Sequence, residues 1–243
     1  YVGKLIVSKG VDLLLAAWPL VVAREPAARL CVVGFGTLRD ALGSALDGLR
    51  EGDLGGLEEL AARGRELEGG PPGRLPYLTA FLDGLTGERR ESYVQYARVA
   101  ASRVHFTGRL EHDDLPSLLP AWEAVVMPST FPEAFGMVAA EGAACGALPL
   151  SADHSGLAEV TAVLAGGLAD PVRPLLAFQR GPGAVEEIAD KLGAWLGLEA
   201  SLRHEGSASL ARTARSRFGW EAVAEGVVAA ALGRLDELPR PGG

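Results

Sequence analysis

The chain has 243 residues, 48% of them hydrophobic and 22% charged, enough to bury a sizeable core without disulfide or metal staples. Its 23 basic and 31 acidic side chains leave a net charge of −8, which argues against a protein that coats nucleic acid. No window approaches 18 uncharged apolar residues, so no transmembrane helix is expected.

Apolar runs and helical patterns alternate along the chain. Residues 1–5 read as a short strand and 11–23 as a helix. A strand follows over 28–34 and a helix from about Thr37 to Leu49. After an interruption come a strand over 103–108, a helix at 114–119, a strand at 123–128 and a helix at 136–145. A strand at 147–151 and a helix starting at Ser155 complete the alternation. Strands alternating with amphipathic helices predict βαβ units, a parallel sheet and helices on both faces. Three further helical patterns (185–202, 207–217, 220–235) lead into a tail at 236–243.

Residues 50–101 break the rhythm with charged helical pieces (57–68 and 88–101) around Gly69-Gly70-Pro71-Pro72-Gly73. The expectation is a helical insertion on the surface, dispensable for nucleotide binding; a substrate lid or association surface is the other reading. The chain opens directly in an apolar stretch without an initiator Met, which suggests a segment cut away upstream. Cys31 and Cys145 stand alone in apolar surroundings with no Cys-x-x-Cys. They read as buried thiols of a cytoplasmic protein.

Ligands of open α/β sheets bind beyond the carboxyl ends of the strands, and four such ends stand out. Only three lysines occur, and two of them, Lys4 and Lys9, flank the first strand-to-helix turn; an ammonium there suits a phosphate. Gly34-Phe35-Gly36 follows the second strand and permits close backbone approach, but Arg39 spoils a dinucleotide fingerprint. Glu141 is the only charge between Gly136 and Leu150, so it is expected to be buried and held by fixed donors. Glu133, eight residues earlier, would face the same cleft, with the Phe135–Val138 amides aimed between the two carboxylates. Asp153-His154-Ser155 does not make a triad, because adjacent residues do not converge that way. Ser155 reads as a helix cap, with His154 near the cleft. No P-loop, Asp-x-Asp or His-Glu-x-x-His is present, and no metal site is expected.

Glu133 and Glu141, in Pro-Glu-Ala-Phe-Gly-Met-Val-Ala-Ala-Glu, form a Glu-x7-Glu motif. Together with Gly3-Lys4-Leu5, Lys9-Gly10, Val33-Gly34-Phe35-Gly36, Val104-His105-Phe106-Thr107-Gly108, Ser155–Val160 and Phe218–Glu221, it resembles the family-four retaining glycosyltransferases of the GT-B fold. The likeness is to their C-terminal, donor-binding half. It spans roughly 1–50 and 102–235 but not 50–101.

The resemblance implies one Rossmann-like nucleotide-sugar-binding domain over 1–235 with a helical insertion, and an N-terminal acceptor domain outside this chain. Lys4 and Lys9 would neutralise the donor diphosphate. Glu133 would act at the donor sugar, with Phe135, Gly136, Met137 and Val138 beside it. Glu141 would hold the ribose. Gly34 and Gly36 would line the nucleotide, and Gly108, Arg109 and Leu110 would border the base. The implied reaction is metal-independent sugar transfer from a nucleoside-diphosphate sugar with retained configuration and no cofactor. This chain alone would bind but not turn over. Another GT-B enzyme, such as a nucleotide-sugar epimerase, and a non-catalytic nucleotide-binding or assembly module stay open. So does peripheral membrane contact of the full enzyme.

Overall fold

The computed structural model describes residues 1–238; the end of the expected tail, 239–243, lies outside the described residues. The elements in chain order are α1 (Val11–Arg24), β1 (Leu30–Val33), α2 (Arg39–Glu51), α3 (Gly55–Arg63), α4 (Pro76–Asp83), α5 (Gly87–Ala101), β2 (Val104–Gly108) and α6 (Leu115–Leu118). They continue with β3 (Ala124–Met127), α7 (Met137–Ala144), β4 (Leu148–Ala152), α8 (Ser155–Ala165), β5 (Ala177–Phe178), α9 (Ala184–Leu196), α10 (Ala200–Phe218) and α11 (Trp220–Ala231). All strand pairs are parallel: β1 with β2, and β3–β4–β5 in a second sheet. Residues 1–5 run extended along β1. Val33 N–H donates to Tyr1 O at 2.8 Å and Gly3 N–H to Val33 O at 3.0 Å. Parallel strands flanked by helices make this a Rossmann-like α/β fold.

Local chemistry sets the boundaries. In α2, Leu42, Ala45, Leu46 and Leu49 are buried, the i, i+3, i+4, i+7 stripe of an amphipathic helix. Every residue of β4 is buried, as expected for a parallel strand covered on both faces. Pro149 has no N–H, and its nitrogen faces the β5 side. Accordingly β5 pairs only from Ser151 onward. The pattern over 185–202 splits into α9, which ends with Gly197 as its cap, and α10, which starts at Ala200. Two elements escaped the sequence reading: two-residue β5, too short for a pattern, and α4, masked by the Pro/Gly run before it. Cys31 and Cys145 are free but half-buried rather than buried.

Residues 50–101 are helical as expected, but they are not a surface appendage. Leu57, Leu60, Leu78, Phe81 and Tyr93 are all buried in the common core. Helix α5 packs on α1 and α2. The Tyr93 hydroxyl donates to Ala16 O at 2.8 Å, and its ring meets Phe81 edge-on at 5.4 Å. The many charges that suggested decoration occupy the outer faces, as in the Arg90–Glu58 pair at 3.3 Å. Replacing residues 55–98 by a short linker should therefore leave a chain that does not fold cooperatively. Tyr93→Ala should cost about 3–5 kcal/mol in denaturant unfolding, against roughly 1 kcal/mol for Tyr93→Phe.

Candidate functional site

The extended stretch 1–6 makes only a single isolated bridge, Val2 with Val33, rather than the expected strand; it ends in a 3-10 turn over Val7–Lys9, and Gly10 then enters α1 with φ 63°. Only glycine serves here. A Cβ on Gly10 would stand 1.9 Å from Pro128 O, so the loop after β3 lies directly on the turn. Thr130 N–H donates to Ser8 O at 2.9 Å and closes the contact. Lys9 is thereby brought to Glu133, 124 residues away: its Nζ lies 2.6 Å from Oε1 and 2.7 Å from Oε2.

Glu133 is fixed from three further sides. The buried Ser129 hydroxyl donates to Oε1 at 2.5 Å. Glu133 N–H donates to Ser155 Oγ at 2.9 Å, and Gly156 N–H donates to Glu133 O at 3.0 Å. Gly156 again leaves no room for a side chain, with Ala134 O at 2.6 Å from an added Cβ. His154 Nε2 lies 2.8 Å from Ser129 O and ties the two loops together. The capping residue of α8 is His154, not Ser155. Ser155 sits at φ 53°, an uncommon conformation for a side-chain-bearing residue, and its hydroxyl accepts the Glu133 N–H while donating to His154 O at 2.8 Å. Ser129 carries no pattern that a sequence reading could have caught, and Ser155, legible as a helix cap and motif residue, gave no sign of its bond to Glu133.

The other predicted residues fall into two groups around this centre. Lys4 is exposed in the extended stretch before the 3-10 turn and makes no ion pair among the described residues; its carbonyl accepts the Tyr1 hydroxyl at 2.7 Å. Gly34 N–H donates to Gly108 O at 2.9 Å, and a Cβ on Gly34 would lie 1.8 Å from Gly3 O. A Cβ on Gly36 would lie 2.3 Å from Leu5 O. Nearby, the Arg109 guanidinium stands 5.6 Å from the exposed Phe35 ring, with Leu110 half-buried next to it. On the other side, Gly136 caps α7 without a side-chain bond, so the Met137 and Val138 amides have no intrahelical partner. Phe135 meets Phe218 edge-on at 5.6 Å, and Met137 is 63% exposed.

Glu141 departs from expectation. It is half-buried, and among the described residues nothing donates a hydrogen bond to its carboxylate. Helix α7 buries Ala139, Ala140, Gly142 and Ala143. Glu141 instead lies one turn beyond Met137 on the same flank, open enough for water to solvate its charge.

Two acidic residues went unnoticed in the sequence. Glu68 comes from the insertion, and its Oε1 accepts the Val7 N–H at 2.6 Å, which braces the lysine turn. Asp12, in the first turn of α1, is only 3% exposed and its Oδ1 has no hydrogen-bond partner among the described residues. Its place after Lys9-Gly10 reads as an ordinary helix start. Burial pushes its carboxyl up to about 7, with nearby Glu68 adding to the rise and its own and Leu13's backbone N–H groups opposing it. A carboxyl raised above its unfolded value favours folding most at low pH, and that contribution is lost as pH rises toward 7. Asp12→Asn keeps the shape without the charge. It should raise stability at pH 8 by at least about 1 kcal/mol and flatten the fall in stability between pH 4 and 7, measured by urea unfolding across that range.

Residues 82–173 match the family model described as Glycosyl transferases group 1. The match includes β2, β3, α7 and β4, and with them Gly108, Arg109, Glu133, Glu141 and His154; Lys4, Lys9, Gly34 and Gly36 lie outside it. It supports a glycosyltransferase. No curated protein matches the chain.

Proposed function

We propose that the chain is the donor-binding part of a retaining glycosyltransferase and takes a nucleoside-diphosphate sugar at the carboxyl ends of its strands. The observation that carries this reading is the Lys9–Glu133 pair, 2.6 Å apart and partly open to solvent. It joins a cation suited to phosphate and a carboxylate suited to sugar hydroxyls. A donor would separate the pair, with Lys9 and Lys4 turning to the diphosphate and Glu133 to the sugar. The free amides at the start of α7 add positive potential on the same side.

In this reading Glu141, left without a donor among the described residues, accepts from the ribose. Phe35, Gly108, Arg109 and Leu110 border the base. Ser129 and Ser155 hold Glu133 at one orientation, so the carboxylate is set before the sugar arrives. As the bond to the diphosphate breaks, negative charge grows on the leaving group and the two lysines stabilise it. The acceptor and the remaining catalytic groups would come from the second domain of a GT-B enzyme.

The pairing makes the two carboxylates distinguishable by calorimetric titration. Glu133→Gln releases Lys9 from its partner, so affinity for a bare nucleoside diphosphate should hold or rise while affinity for the full donor falls. Glu141→Gln should weaken both ligands alike, by about 1–3 kcal/mol. Lys9→Ala should weaken the nucleoside diphosphate by about 1.5–3 kcal/mol and the nucleoside far less. A panel of UDP-, GDP- and ADP-sugars that produces no thermal shift at all would overturn the reading.

A further inference from the structure

The turn that carries Lys9 is held from two directions. At its middle, Ser8 O accepts the Thr130 N–H at 2.9 Å and the Phe131 N–H at 3.3 Å. At its start, the Val7 N–H is the first of a 3-10 turn, so no carbonyl within the turn can receive it. Ile6 supplies no side-chain cap. Glu68 Oε1, from the segment 50–101, takes that N–H at 2.6 Å. The turn is also closed on itself, with Lys9 N–H on Ile6 O at 3.0 Å and Gly10 N–H on Val7 O at 3.1 Å. A displacement of Val7 therefore carries Lys9 with it.

Glu68 is delivered by a stiff loop. It ends the 3-10 turn Arg65–Glu68, and the loop is stitched at its base by a bridge between Gly64 and Gly73. A Cβ on Gly64 would stand 2.0 Å from Gly73 O. Gly70 N–H donates to Arg65 O at 2.9 Å and Leu75 N–H to Ala61 O at 2.8 Å. Leu75 is buried and Leu67 packs against the core, so the loop is anchored on both sides of Glu68. For the fold, the charge of Glu68 works the wrong way, because it opposes that of the buried Asp12 carboxyl. What holds the turn is an acceptor oxygen at the right reach.

We infer that the loop at residues 64–75 is a working part of the donor site and that Glu68 is a positioning residue for Lys9, acting through the Val7 N–H. The inference rests on the donor-binding reading of Lys9. The segment 50–101, which lies outside the family resemblance, then does more than fill the core: it sets where the cation for the diphosphate stands. The pairing of Lys9 with both oxygens of Glu133 needs the same placement of Nζ. Without Glu68 the turn keeps only its hold at Ser8, and the ammonium reaches carboxylate and diphosphate less well.

The chain has only three lysines, so isotope-labelled lysine reports Lys9 as one of three side-chain NMR signals, with no ligand needed. Lys9→Arg identifies the signal, and Glu133→Gln marks where it lies when the pair is broken. Glu68→Ala should move the Lys9 signal most of the way to that position and leave Lys191 in place. Glu68→Asp, which keeps the charge but is one methylene short, should do the same. Glu68→Gln keeps the reach without the charge and should match the unsubstituted chain. In calorimetry with UDP, GDP and ADP, the Ala and Asp variants should bind about tenfold more weakly or worse, the scale of one lost hydrogen bond to a charged group. In a Lys9→Ala background, Glu68→Ala should cost no further affinity, because its effect runs through Lys9. Folded Ala or Asp variants that unfold more easily in urea but leave the Lys9 signal unmoved would make Glu68 merely structural and overturn the proposal. So would a Gln variant that behaves like Ala. If none of the three diphosphates binds the unsubstituted chain, the donor reading fails, and the lysine spectra by themselves decide whether Glu68 places Lys9.

Discussion

Everything at the site depends on one close approach, that of Gly10 to the carbonyl of Pro128. No side chain larger than hydrogen leaves room for it. Because it is made, the loop after β3 rests on the turn before α1, Thr130 bonds to Ser8, and Lys9 reaches both oxygens of Glu133. The glycine's left-handed backbone bends the turn, and its bareness lets the loop in. A methyl group at position 10 would therefore act first on the site and only then on stability, since it pushes the carboxylate's loop away from the cation.

Much of the architecture was legible because it rests on periodicity. The alternation of apolar runs and amphipathic stretches placed β1 to β4, α1, α2, α5, α7 and α8 near their observed limits. Lys9 and Glu133 were legible for another reason: a rare lysine and an acidic loop residue each stood at a strand's carboxyl end. What stayed hidden had no local signal. Ser129 and Ser155 act through loops that only the fold brings together. Glu141 was misjudged because an apolar helix was taken to be covered all round, whereas α7 leaves one flank open. The insertion was misjudged in the opposite sense. Its exposed charges were counted, while Leu57, Phe81 and Tyr93 were spaced too irregularly to announce a buried face.

The acidic pair formed by Asp12 and Glu68 sits behind the cationic turn and gives it an unusual electrostatic setting. Glu68 spends one oxygen on the Val7 amide, and Asp12 keeps one oxygen without a partner among the described residues. Two carboxyls so placed bias the turn toward holding positive charge. They also limit how much they can do so, because Asp12 is largely protonated below neutrality. A structural carboxyl thus lies close to the groups most suited to chemistry.

The brace from Glu68 to Val7 joins residues 61 positions apart, and the pair of Lys9 with Glu133 spans 124. Contacts so distant in sequence form only after the intervening chain has been ordered, since the loops they close cost entropy that local packing must first offset. The lysine turn is short and close to the start of the chain, yet it is not an early element in the order of assembly. It takes its final shape only when the helices of residues 50–101 have docked and β3 has joined its sheet. The region with the most chemistry is therefore among the last to be completed, and a chain whose insertion is slow to pack carries a complete sequence and an unformed site.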